Sequence, residues 1–223
     1  MSLFVEAATG EPIPFEIGGV VLAGYTGRDQ ASVRRHIDEL AEHGVPVPER
    51  VPSFYSATPN LVVATDSIDV LGAETCGEAE FVLFRSNGEL YVAAGSDHTD
   101  RALERESVTH AKQVSPKVVS REAWRYAEVA PRWDRIALRS FAGEDRAVYQ
   151  VGRAADLLDP EDILARVEAR TGRGLDGVLV FSGTLGLAGE LSFADRFEVE
   201  LLDETTGDRL AVQYRINVID PID

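Results

Sequence analysis

The chain has 223 residues, 44% of them hydrophobic, enough to bury a substantial core and to exclude general disorder. With 38 acidic against 22 basic residues its net charge is −16, and such a surface repels phosphate backbones and anionic lipids, so neither nucleic acid nor a membrane is an expected partner. No apolar run is long enough to span a bilayer, the opening MSLFVEAATG lacks the basic and apolar regions of a secretory signal, and the single Cys76 cannot form an internal disulfide; together these predict a cytoplasmic protein.

Taken in chain order, residues 1–20 read as a short strand-rich lead-in, and VVLAGYTGR as a strand running into a glycine loop. From Asp29 to His43, Val33, Ile37, Leu40 and Ala41 recur at helical spacing, with Asp29 or Ser32 as the cap and Gly44 just past the end. GVPVPERVPSFY is an extended Pro-rich loop. LVVAT, SIDVLG, EFVLF and LYVAAG follow as short strands, the last two joined by a turn at Asn87-Gly88. SREAWRYAEVAP predicts a short helix stopped by Pro131, and RIALRSF with AVYQVG a hairpin turning at Gly143. Asp159 to Gly172 predicts a helix, with Asp159 at the cap, Pro160 at its first position and Gly172 after its end. GVLVFSGT, RFEVELLDE and LAVQYRINVID complete the strands. The expected architecture is α+β and mainly β: one domain over 1–223, a mixed β-roll or sandwich with a few outer helices.

One strand end concentrates charge. Glu78 and Glu80, two apart, point to the same face of an extended segment, and two carboxylates so close require a positive partner. A hard divalent cation, Mg²⁺ or Mn²⁺, meets that need with oxygen ligands, and Asp97 from the next strand completes the set once the Asn87-Gly88 turn brings the chain back. Taken alone, the E-x-E pattern in so acidic a chain favours a solvated strand end. His36 and Glu39, three apart, share a helix face, the arrangement of a tuned general base and equally of an exposed, inert pair. His98 beside Asp97 is a candidate supporting group, His43 and His110 read as surface residues, and Trp124 and Trp133 as core or dimer-interface residues. The only two lysines, Lys112 and Lys117, both follow the acidic cluster, and two surface lysines are the plainer reading. FSGTLG places Thr184 in a glycine-flanked turn that can present amides and a hydroxyl to an anion.

These blocks, in this order, resemble the fumarylacetoacetate hydrolase superfamily. GRDQASVRRHIDELAEHGVPVPERVPSFY resembles its His-x-x-Glu helix and Pro-rich run, GEAEFVLF its E-x-E-L strand, and YVAAGSDHTDR its Asp-x-Ser-x-Arg segment. SPKVVS resembles its Gly-Lys-Ser block, and DGVLVFSGTLG its Gly-Thr-Pro block. The resemblance implies a fold like the C-terminal domain of fumarylacetoacetate hydrolase, often a homodimer. It implies Glu78, Glu80 and Asp97 as ligands of Mg²⁺ or Mn²⁺, His36 and Glu39 as the dyad that activates water, and Lys117 as a catalytic contact. Arg101 and Thr184 become substrate-binding residues; the family's Asn-Tyr pair before the helix is absent here, and Arg28, which stands nearby, joins them. The implied substrate is a 2-oxo or β-diketo carboxylic acid, cleaved hydrolytically at a C–C bond if acylpyruvate-like. Decarboxylation, hydration or isomerisation are alternatives, as is a non-catalytic small-acid binder on the same fold. Departures are a much shorter loop between Glu80 and Asp97, Thr99 in place of Ser, and Leu185 in place of Pro.

Overall fold

A computed structural model describes residues 3–42, 47–220 and 222. The predicted positions His43 and Gly44 lie outside the described residues, as do the side chains of His36, Glu39 and Leu40.

Among the described residues the first half of the chain supplies β1 (Phe4–Glu6), β2 (Pro12–Ile13), β3 (Gly19–Gly24), β4 (Ser53–Ala57), β5 (Val62–Val63), β6 (Ser67–Leu71), β7 (Thr75–Cys76), β8 (Ala79–Ser86), β9 (Glu89–Asp97) and β10 (Thr99–Asp100). The second half supplies β11 (Lys117–Arg125), β12 (Ile136–Ala142), β13 (Ala147–Arg153), β14 (Val178–Phe181), β15 (Arg196–Asp203) and β16 (Arg209–Ile219). The helices are α1 (Gln30–Glu42), α2 (Arg101–Glu104), α3 (Val108–Gln113), α4 (Tyr126–Val129) and α5 (Pro160–Thr171). The large sheet runs β2-β1-β11-β9-β8-β14-β3-β4 with β5 beside β11, the small sheet runs β13-β12-β15-β16-β6, and β7 pairs with β10. Both main sheets are mixed: β14 is parallel to β3 and β16 to β6, while β8, β9 and β11 are antiparallel. This is the mainly-β α+β roll expected.

The central strands are buried on both faces. Along β8, Phe81 and Leu83 pack toward the small sheet with Leu138, Phe197 and Tyr214, while Val82 and Phe84 join a second cluster with Leu22, Val119 and Phe181. Residues from strands at both ends of the large sheet, Ile13 and Ala57, belong to that second cluster, so the sheet curls around it. The lead-in is part of this core: Phe4 is fully buried and stacks on Phe84 at 4.3 Å between ring centroids. Trp124 and Trp133 are both core residues.

Local signals act where expected. Asn87 (φ 50°) and Gly88 (φ 82°) make the two-residue turn between β8 and β9, where paired positive φ matches strand twist. Asp159 caps α5, and Gly172 at φ 64° ends it. Asp29, not Ser32, caps α1, its Oδ1 accepting from the amides of Ala31 and Ser32. One expectation fails: residues 120–125 are strand, and only Tyr126–Val129 is α-helical. Arg121, Glu122 and Ala123 are good helix formers, so local propensity is overridden here. The decisive force is tertiary, since β11 adds a full edge of pairing to β9 and absorbs a register shift between Val119 and Ala123. The short helices α2 and α3, just after β10, were not anticipated.

Candidate metal centre

The tight turn at Asn87-Gly88 fixes the register of β8 and β9, so Glu80 lies opposite Gly95 and the Asp97 amide donates to Glu78 O at 3.2 Å. The carboxylates of Glu78, Glu80 and Asp97 thereby converge, one oxygen from each within 4.8 Å of the others. Each is fixed by a different element. The Gly183 amide beyond β14 donates to Glu80 Oε2 at 2.8 Å. Only glycine fits there: φ is +83°, and a Cβ would collide with Thr26 Oγ1 and lie 3.1 Å from Ala23 O. Arg101 on α2 donates to Glu78 Oε1 at 2.9 Å and to Glu104 Oε2 at 2.7 Å. Lys117 on β11, fully buried, lies 2.8 Å from Asp97 Oδ1 and donates to His98 O at 2.7 Å.

Lys112, on α3, completes the set. Its Nζ donates to Asp97 Oδ2 at 2.6 Å and to Glu78 Oε2 at 3.0 Å. The sequence drew attention to this lysine but gave no role to it; the position depends on how α3 folds back, which no local pattern announces.

These contacts set the protonation states. Burial alone would raise the Glu78 carboxyl, but the adjacent Lys112 and Arg101 outweigh it and hold the group at about 2. Burial, with Asp97 beside it, pushes Glu80 well above the usual carboxylate range. Lys112 stays charged because Asp97 and Glu78 more than offset its burial. Lys117 is lowered, burial exceeding the help from Asp97. The His98 side chain makes its hydrogen bond to Tyr214, with Nδ1 3.1 Å from Oη, and burial, with Lys117 nearby, lowers it to about 3.

The triad borders a cavity of about 1230 Å³. Glu78, Glu80, Arg101, Lys112, Arg28 and Thr184 line it; Asp97 and Lys117 lie behind the wall. Thr184 Oγ1 donates to Ala79 O at 2.8 Å and accepts from Gln150 Nε2 at 2.8 Å. Arg28 is half-exposed and lies 3.9 Å from Asp134, its acidic partner among the described residues. The α1 residues Ser32, Val33 and Arg35 form another part of the wall, and His36 and Glu39 belong to the same helix. Tyr25, at φ 58°, also lines the cavity, with its phenol raised to about 12 by burial and by Tyr55. No sequence signal marked Tyr25, Glu104 or Gln150.

An all-oxygen carboxylate set suits Mg²⁺ or Mn²⁺ and disfavours softer metals. The residues therefore fit the expected cation, and an ammonium is held on two of the three ligands.

The fold recurs in solved structures. A putative fumarylacetoacetate hydrolase family protein from Yersinia pestis CO92 superposes with a TM-score of 0.68 at 17% identity, covering 96% of this chain and 99% of that one. A 2-hydroxyhepta-2,4-diene-1,7-dioate isomerase from Mycobacterium marinum gives 0.66 at 15% identity, covering 95% and 78%. A 2-keto-3-deoxy-D-arabinonate dehydratase complexed with magnesium and 2,5-dioxopentanoate gives 0.64 at 16% identity, covering 93% and 75%. The resemblance read from the sequence is thus borne out in the fold. No curated protein matches the chain. Residues 23–214 match the family described as "Protein of unknown function (DUF2848)", and the chain belongs to that family. No described helix is long and apolar enough to cross a membrane.

Proposed function

We propose that the protein is a Mg²⁺- or Mn²⁺-dependent enzyme acting on a 2-oxo or β-diketo carboxylic acid, with hydrolytic C–C cleavage of an acylpyruvate-like substrate as the leading reaction. The observation that carries this reading is the convergence of three carboxylates at the wall of a large cavity. The shared fold with a dehydratase solved with magnesium and a dioxo acid supports it.

Glu78, Glu80 and Asp97 would hold the ion, which when bound supplies a Lewis acid where negative charge develops on the substrate's oxygens. Arg28, half-exposed and paired among the described residues only with the exposed Asp134 at 3.9 Å, offers its guanidinium to the substrate carboxylate, whereas Arg101 is already engaged by Glu78 and Glu104. The Thr184 hydroxyl hydrogen is spent on Ala79 O, so Thr184 shapes the turn that carries the Gly183 amide. Lys117 is assigned to holding Asp97. His36, oriented by Glu39, is assigned the proton step. A homodimer is the proposed assembly, and a mass near twice 24.3 kDa by light scattering is the expected result.

A screen of 2-oxo and β-diketo acids with Mn²⁺, repeated in EDTA, tests the activity. Turnover should require the metal, and His36→Ala should lower the single-turnover rate by roughly two to four orders of magnitude while metal binding persists. Equal rates would remove His36 from the mechanism. The isomerase and dehydratase among the similar structures make isomerisation and dehydration the alternatives that product analysis separates.

A further inference from the structure

We propose that Lys112 is a tethered cation that closes the metal position of the triad, and that a divalent ion enters by displacing its ammonium into the cavity. The proposal rests on the reading of Glu78, Glu80 and Asp97 as metal ligands.

Three observations carry it. First, the Lys112 Nζ bonds Asp97 Oδ2 and Glu78 Oε2 at 2.6 and 3.0 Å, so it occupies one oxygen of each of two ligands, while the other two oxygens face Lys117 and Arg101. Mg²⁺ binds carboxylate oxygen at about 2.0–2.1 Å, so an ion on the two oxygens that Lys112 occupies cannot share the space with the ammonium. Second, Lys112 lies between solvent and Asp97. Its side chain is 8% exposed and forms part of the cavity wall, while Asp97 is 0% exposed and does not. An ion arriving through the cavity meets the ammonium before it meets Asp97.

Third, the cluster holds its carboxylates without an ion. Glu78 is met by Arg101 at 2.9 Å and by Lys112, Asp97 by Lys112 and by Lys117 at 2.8 Å, and Glu80 by the Gly183 amide at 2.8 Å. Exchange of Lys112 for a divalent ion leaves Arg101 and Lys117 in place and adds one positive charge. Of the three cations Lys112 is the one able to leave. Arg101 is held by Cys76, Glu78 and Glu104 together, and Lys117 is wholly enclosed, whereas Lys112 has a flexible stem and a large cavity in front of it. The apparent affinity for metal is then the intrinsic affinity reduced by the small fraction of molecules in which the lysine stands aside.

The chain's two lysines make the test direct on the native protein. Amine labelling followed by peptide mass spectrometry, in EDTA and in saturating Mn²⁺, should show Lys112 protected without metal and labelled much faster with it; Lys117 stays protected in both and serves as the internal reference. Calorimetric titration of Mn²⁺ into wild type, Lys112→Met and Lys112→Gln should show tightening by roughly ten- to a hundredfold in the variants, as expected if the open form is about 1–10% populated. Binding by the variants alone would support the lysine as resident cation and overturn metal dependence in the native protein. Equal Mn²⁺ affinity throughout would overturn the role of Lys112 and leave the metal reading standing. Absence of Mn²⁺ binding in all three would overturn both. Should neither variant fold, the wild-type labelling decides: an unchanged Lys112 rate while calorimetry records binding refutes displacement.

Discussion

On the small sheet, Glu198 is met by Arg146, Arg209 and Gln213, and the two arginine side chains remain 50% and 45% exposed. At the end of the large sheet, Asp97 is met by Lys112 and Lys117, with exposures of 0%, 8% and 0% for the three. Both clusters pair one carboxylate with two cations, yet their energetics differ. The arginines of the small sheet keep much of their hydration, so the pairing gains little and its loss costs little. The lysines have surrendered theirs, so every charge depends on the others, and an apolar filling of the same space would be no less stable. Charge buried beside a cavity, where stability does not require it, is what the proposed metal centre would need.

The largest expected effect breaks the buried cluster. Asp97→Asn leaves Lys117 enclosed without its carboxylate and Lys112 with Glu78 alone, and should cost about 3–5 kcal/mol, read in urea unfolding at neutral pH. A loss under about 1 kcal/mol would erase the contrast with the small sheet. Gly183→Ala comes next: at φ +83°, with Thr26 and Ala23 crowding the added methyl, it should cost about 1–3 kcal/mol and loosen Glu80. An unchanged melting temperature would show that the turn can relax.

Asp203, on β15, extends the comparison through pH. Burial would raise its carboxyl, but hydrogen bonds from Arg132 and the Thr205 amide hold it below the usual range. A depressed native value gives stability that is full above the unfolded value of about 3.9 and is lost as pH falls through the native one. Asp203→Asn should therefore cost about 1–2 kcal/mol at pH near 7, with the gap to wild type closing below about pH 4. A gap that persists in acid would assign the loss to packing. Smallest of all, Glu198→Gln should cost about 1 kcal/mol or less by the same assay; a larger loss would mean that the small sheet also depends on its charges.

Much of this was legible because short-range chemistry wrote it. Asn87-Gly88 specified a hairpin, the hairpin specified register, and register brought Asp97 to Glu78. Asp159, Pro160 and Gly172 bounded α5 for equally local reasons. What was illegible depends on distant partners. The SREAWR segment leans to helix by propensity and becomes strand because β9 offers it an edge. Lys112 is one lysine among acids until α3 turns it inward, and the Gly183 amide serves Glu80 only because β14 lies beside β8. Lys117 was recognised by resemblance, but burial behind Asp97 is a property of the sheet, not of the motif.

The placement of β14 also governs when this molecule can exist. It enters the large sheet between β8 and β3, with Val180 opposite both Leu83 and Val21, so an interior place in the sheet is filled by the last quarter of the chain. The β8–β9 hairpin can zip as soon as it is made, but β3 and β8 then wait with open edges for roughly a hundred more residues, about 5–20 s of synthesis at usual rates. During that interval Glu80 lacks its amide, and two of the most apolar strands are available to any other strand they meet. Assembly is therefore late, non-local and slow, and a nascent chain halted before Phe181 is a strong candidate for chaperone capture or strand-to-strand aggregation.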